Sequence, residues 1–145
     1  MNTSVNNISI NLSGAQNVDS STFSNPRMDI SVANLKHIQT MLAFDKLPEN
    51  WDSYGSNKPN RAAIVKAVNF ILNQLSPQKQ DVFFTAPTTD GDILVELKEG
   101  KGQVELIFSI EEDDKIIASY NSEFYAEAIL NKTTLNSYIN WLRKS

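Results

Sequence analysis

The chain contains no cysteine, which removes disulfides, thiolate nucleophiles and cysteine-held zinc or iron–sulfur centres from consideration. That absence also fits a reducing compartment. Histidine is almost as scarce. His37, the single one in 145 residues, sits beside the apolar stripe of a helical pattern and reads as a flanking helical residue, not a base or metal ligand. No apolar run approaches the ~20 residues that cross a bilayer, and the amino terminus lacks the basic and apolar regions of a signal peptide. A cytoplasmic protein with no membrane contact is therefore expected. Neither of the glycine-rich phosphate loops occurs, and there is no G-x-S-x-G elbow or internal repeat, so nucleotide cradles and a serine triad find no residues to build on.

Cationic charge is also in short supply. Thirteen basic residues face 17 acidic ones, a net charge of -4, whereas general nucleic-acid binding needs clustered lysine and arginine along the phosphate backbone. No nucleic-acid partner is expected. The remaining composition, 41% hydrophobic and 21% charged over 145 residues, is that of one globular domain large enough to bury a core.

Residues 1–28 differ from the rest, being rich in Asn, Ser and Thr and nearly free of charge. They read as a polar arm preceding a single domain over 29–145. Within the arm, Ile8-Ser9-Ile10-Asn11-Leu12 alternates with period two before Ser13-Gly14, a strand-and-turn pattern. It can add to a sheet edge in the same molecule, or join two copies through Ile8, Ile10 and Leu12; a mobile tail is the alternative.

A first helix is expected from a cap at Asp29 or Ser31, with Val32, Leu35, Ile38 and Leu42 as its stripe and Met41 and Phe44 widening it. A second starts at the Pro59-Asn60 stop and cap. It carries Ile64, Ala67, Val68, Ile71, Leu72 and Leu75 on one face, has Arg61, Lys66, Asn69 and Asn73 on a solvated outer face, and ends at Ser76-Pro77. From residue 81 the period changes to two, in four runs around 82–86, 93–98, 104–110 and 116–120. Short turn-rich links join them, including Asp90-Gly91, Gly100-Lys101-Gly102 and the hairpin tip Glu111 to Asp114, as in an antiparallel meander. Residues 123–130 fit either a short helix or a last strand. Thr133 or Thr134 then caps a final helix with Leu135, Tyr138, Ile139 and Leu142 as its stripe. The expected fold is α+β: a two-layer sandwich of about four antiparallel strands with three helices mainly on one face.

The stretch Leu47-Pro48-Glu49-Asn50-Trp51-Asp52-Ser53-Tyr54-Gly55-Ser56 is denser in aromatic and turn-forming residues than a connector requires. Pro48 closes the helix before it, Asn50, Asp52 and Ser53 can bond nearby amides, and Gly55 permits positive φ. One reading is structural, with Trp51 plugging the gap between helices and sheet edge and Tyr54 bonding a backbone group. The other is a recognition surface, because Trp and Tyr dominate binding hot spots. Both hold together if Trp51 faces inward and Tyr54 outward.

Glu49-Asn50-Trp51-Asp52-Ser53-Tyr54-Gly55, the helix after it, and Pro87-Thr88-Thr89-Asp90-Gly91-Asp92-Ile93-Leu94-Val95-Glu96 together resemble a pattern in small bacterial and phage proteins. These share an ENWDxYG motif, a helix, and a P-x-x-DG-x-hydrophobic strand. The resemblance spans roughly residues 47 to 110, with Asp92 standing where the pattern has a small or polar residue. It implies a common fold and a bacterial or phage setting, and brings no settled activity.

Carboxylates are the remaining source of chemistry. Asp52, Asp90, Asp92 and Glu96 converge if the tryptophan turn folds over the first hairpin, and can then act as an acid/base pair or hold a hard cation. Otherwise Asp90-Gly91-Asp92 is a turn and Glu96 lies on the wet face near Lys98. Asn50, Trp51, Asp52, Tyr54, Asp90, Asp92 and Glu96 are thus the candidate binding residues; no catalytic residue, metal ligand or cofactor is assigned. The leading expectation is a non-enzymatic protein that docks on another protein as an accessory or inhibitor, such as a phage anti-defence protein or an antitoxin-like neutraliser. The alternatives are a small enzyme or ligand- or metal-binding domain built on those carboxylates, and a self-associating structural protein joined through the arm.

Overall fold

A computed structural model describes residues 7–11 and 27–145. In chain order the elements are β1 (Asn7–Asn11), β2 (Arg27–Ser31), α1 (Val32–Ala43), α2 (Arg61–Phe70), β3 (Phe84–Pro87), β4 (Ile93–Glu99), β5 (Gly102–Phe108), β6 (Lys115–Tyr120), β7 (Glu123–Ile129) and α3 (Lys132–Arg143). Strands β3 to β7 form one open antiparallel sheet in sequence order, as a meander requires. The fold is the expected α+β arrangement with one strand more. Residues 123–129 are that fifth strand, because Asn121 and Ser122 take φ of 52° and 68° and make the two-residue reversal that a hairpin favours.

Register decides which side chains meet. Val95 lies opposite Leu106, Leu106 opposite Ile116, and Ile116 opposite Ala128, so one face of the pleat is continuously apolar. The described helices lie against that face. α2 contributes Ala63, Ile64 and Ala67, and its last turn widens into a π segment, Ile71–Leu75, whose two end residues are fully buried. Asn60 accepts from the amides of Ala62 and Ala63 as the expected N-cap. α3 buries Leu135, Ile139 and Leu142, each adding about 1.5–3 kcal/mol of transfer free energy. Its cap is Asn131, not Thr133 or Thr134. Asn131 accepts from the Thr134 amide and Thr134 Oγ1 accepts from the Asn131 amide, both at 2.9 Å, a reciprocal pair that satisfies two end donors.

α1 departs from its expected stripe. Ser31 is the N-cap, but Leu42 is exposed and the buried positions are Asn34, Ile38 and Met41. A polar side chain faces inward here because three groups meet it there. Asn34 Nδ2 donates to Ser76 Oγ at 3.2 Å and to the Gln80 carbonyl at 3.1 Å, while Oδ1 accepts from the Val82 amide at 2.7 Å. Asn34 thereby fastens α1 to the chain entering β3. Ahead of α1, β1 pairs with β2 antiparallel in a separate two-stranded sheet, so the alternating segment of the arm meets its own chain and not the edge of the main sheet. Leu12 lies outside the described residues.

Candidate functional site

The tryptophan stretch folds into a closed loop between Leu47 and Asn60, and nearly every polar group of its motif bonds the loop's own backbone. Glu49 Oε2 accepts from the Lys58 amide at 2.9 Å, Asn50 Oδ1 from the Gly55 amide at 2.6 Å, and Trp51 Nε1 donates to the Asn57 carbonyl at 3.0 Å. Asp52 accepts from the Tyr54 amide, the Ser56 amide and the Ser56 hydroxyl. The Ser56 hydroxyl first, and the Tyr54 amide after it, hold the Asp52 carboxyl below its ordinary value. Asn50, Ser53 and Gly55 take φ of 59°, 66° and 84°, which explains the run of Asn, Ser and Gly in so short a span.

Two expectations are corrected here. Trp51 is half-buried and lies outside the main core, so it holds the loop closed and does not plug the gap between helices and sheet. Tyr54 bonds no backbone group through its side chain, which is 91% exposed. It is the aromatic side chain that the loop presents to solvent.

The loop does fold over the first hairpin. The Asn57 and Asn60 amides donate to the Thr89 and Gly91 carbonyls, both at 2.9 Å. Gly91 has φ of 87°, and a Cβ there would stand 2.9 Å from the Lys58 carbonyl oxygen, so only glycine fits this approach. The anchor behind the loop is an ion pair. Arg61 meets both oxygens of Asp45, at 3.0 and 2.7 Å, and its guanidinium lowers the pKa of that carboxyl.

The four carboxylates expected to converge do not share a site. Both oxygens of Asp52 are engaged in its own turn. Asp90 and Asp92 instead face Glu111 and Glu112 across a polar cleft of about 270 Å³ that Asn57, Asn60 and Ser109 also line. Burial raises the Asp92 pKa; the Ser109 hydroxyl opposes that rise, while the charges of Asp90, Glu112 and Glu111 add to it. Among the described residues no group of three His, Asp or Glu side chains is placed to hold a metal ion.

Glu96 lies on the opposite side of the sheet, paired across the strands with Glu105. Burial raises its pKa, with Glu105 adding to the rise and Lys98 opposing it. Lys98 itself stands 5.2 Å over the Phe83 ring. No described helix lies against this outer face, where Leu94, Ile107 and Ile117 are half-buried and Phe84, Phe124 and Ile129 are exposed. Glu105, Glu111, Glu112 and Glu127 were absent from the candidate set. They become legible only when the register across Gly100-Lys101 and Asn121-Ser122 is known. Lys66 is corrected as well: its ammonium donates to the Ser109 carbonyl at 2.7 Å and meets Asp114 at 3.1 Å, tying α2 to the hairpin tip. His37 lies beside β3, with Nδ1 3.4 Å from Thr85 Oγ1; burial lowers its pKa.

No family model, no curated protein and no solved structure matches the chain.

Proposed function

We propose that this chain is a non-enzymatic protein-binding accessory or inhibitor that docks on another protein through the open side of its sheet. The observation that carries the reading is the outer face itself. Apolar Phe84, Leu94, Ile107, Ile117, Phe124 and Ile129 share it with Glu96, Glu105 and Glu127, and contiguous apolar surface with interspersed polar groups marks interaction sites. The scatter of the candidate carboxylates also supports it. Asp52 is engaged in a turn, Asp92 sits in the cleft and Glu96 lies on the far face, so no pair among these three offers the shared geometry that acid/base work demands. In the bacterial or phage setting implied by the ENWDxYG resemblance, the role is a neutraliser of the antitoxin-like or anti-defence kind.

The test is affinity capture from the native host with the purified chain, followed by reconstitution of the complex from two purified proteins. A stoichiometric partner that reassembles is the expected result, and it should be weakened at least ten-fold by Ile107→Lys with Ile117→Lys. Absence of any partner that reassembles would remove the reading.

A further inference from the structure

Resting on the protein-binding reading, we infer that the free edge of β7 takes an extended, cationic strand of a partner protein as a sixth strand of the sheet. The lysine or arginine side chains of that strand enter the acidic groove beside it.

The two edges of the sheet are unlike. β3 is four residues long, ends in Pro87, which has no amide hydrogen to offer, and has His37 of α1 against Thr85. β7 is seven residues long, contains neither lysine nor proline, and among the described strands pairs only with β6. Its polarity follows from one bond. The Leu130 amide donates to the Asp114 carbonyl at 2.8 Å, so Ala128 and Ala126 direct their backbone groups towards β6, whereas Glu127 and Ile129 direct theirs away. The Ile129 carbonyl is met by Thr134 Oγ1 at 2.7 Å. Among the described residues, what stays open along this edge is the Ile129 N–H with the N–H and C=O of Glu127, three main-chain groups that an incoming antiparallel strand can pair at once.

Charge selects the occupant. Beside the edge lies a groove of about 700 Å³, lined by Ile110, Glu111, Glu112 and Asp113 of the β5–β6 link together with Lys115 and with Glu127, Ala128 and Ile129 of β7. Among the described lining residues its one cation, Lys115, lies 3.9 Å from Glu112, and the four acidic side chains there leave the balance negative. A strand residue opposite Glu127 shares its face of the sheet, so a lysine or arginine there meets that carboxylate, and the same side of the strand looks into the groove. Residues opposite Ala126 and Ala128 fall on the helix side, where aliphatic side chains continue the core.

A second copy fits less well. Two-fold pairing of β7 with itself that matches open groups to open groups puts Glu127 opposite either Glu127 or Ile129 of the other copy. The first sets like charges face to face. The second requires the Ile129 carbonyl that Thr134 already occupies, at the point where the chain turns into α3.

The test uses the full chain and two seven-residue probe peptides, one alternating valine with lysine, the other valine with glutamate. Binding is followed by fluorescence anisotropy, and amide exchange is read residue by residue. The lysine peptide is expected to bind, to slow exchange at Glu127 and Ile129, and to lose at least ten-fold in affinity with Ile129→Pro. That substitution removes an outward N–H and leaves the β6 ladder intact, which an unchanged circular dichroism spectrum and melting temperature would verify. Glu111→Lys with Glu112→Lys should transfer preference to the glutamate peptide. Equal binding of both peptides to the wild-type chain, no binding of either, or protection that maps to the Trp51 loop or the Asp92 cleft would overturn the assignment. So would a dimer in solution with Glu127 and Ile129 already protected. If a host partner is captured equally by wild type and Ile129→Pro, the protein-binding reading stands and the β7 edge is wrong; if no host partner reassembles, that broader reading fails instead.

Discussion

Trp51 and Asn57 close a loop on each other: the indole Nε1 donates to the Asn57 carbonyl at 3.0 Å, and the Asn57 amide then donates to Thr89 in the first hairpin at 2.9 Å. One residue thus joins the tryptophan turn to the sheet. Trp51→Phe keeps a ring and removes the bond, and should lower unfolding free energy by about 0.5–1.5 kcal/mol in urea titrations. Tyr54→Ala, at a side chain 91% exposed, should change stability by less than about 0.5 kcal/mol. If the two variants cost the same, the loop is not held as described.

Gly91 is the other half of that junction. Gly91→Ala forces a Cβ to within 2.9 Å of the Lys58 carbonyl oxygen at a φ of 87°, and that close atom is backbone, not the end of a flexible side chain that could swing aside. A loss of at least about 1–3 kcal/mol is expected, with the Asn57 and Asn60 amide signals shifted in NMR spectra. Wild-type stability in this variant would mean that loop and hairpin do not touch.

Asn34→Ala addresses a different element. It leaves the Val82 amide and the Gln80 carbonyl without the partners they meet at 2.7 and 3.1 Å in a buried setting. The penalty for stranding such groups exceeds that of losing a surface bond, and a decrease of about 2–4 kcal/mol is expected from chemical denaturation.

These positions also show what a linear reading reaches. The helix face of Ile64, Ala67, Ile71 and Leu75 and the inward strand positions Val95, Leu106 and Ile116 follow from periodicity alone, because burial of one face is a local property of spacing. Asn34 escapes such a reading, since its partners lie 42 to 48 residues away and its inward position contradicts its polarity. The fifth strand was ambiguous because Tyr125 sits at a register irregularity, with Ser119 opposite Phe124 and Ala118 opposite Ala126, which breaks the period-two signal. Asn121-Ser122 was the available sign, a two-residue turn pair between alternating runs. The motif Glu49 to Gly55 stands out in the sequence as unusual, and Asn50 and Asp52 serve the loop's own amides as the structural reading of turn residues expects; the inward packing of Trp51 and the backbone bond of Tyr54 are the parts of that reading that fail. The acidic cleft drew only Asp90 and Asp92 from sequence because Glu111 and Glu112 reach it through strand pairing.

The carboxylates make opposing contributions to the dependence of stability on pH, and substitution separates them. Asp45 and Asp52 have lowered pKa values, so their stabilisation is present above the ordinary carboxylate range and is lost as pH falls through the lowered values. Asp92 is the reverse. Its pKa is raised by burial from 3.8, so the native state holds that proton more tightly than the unfolded chain does, and stability declines as pH rises from the ordinary value through the raised one. Above that window wild type carries the whole penalty of an ionised group facing Asp90, Glu112 and Glu111; below it the carboxyl is neutral and the penalty vanishes. Asp92→Asn removes the titration and retains the shape. Melting curves should therefore place the variant above wild type near neutral pH, with the gap closing as pH falls to the ordinary carboxylate value and the wild-type Asp92 becomes uncharged like the amide. A variant less stable than wild type at neutral pH would mean that the Asp92 carboxylate is held by favourable contacts that outweigh its three acidic neighbours.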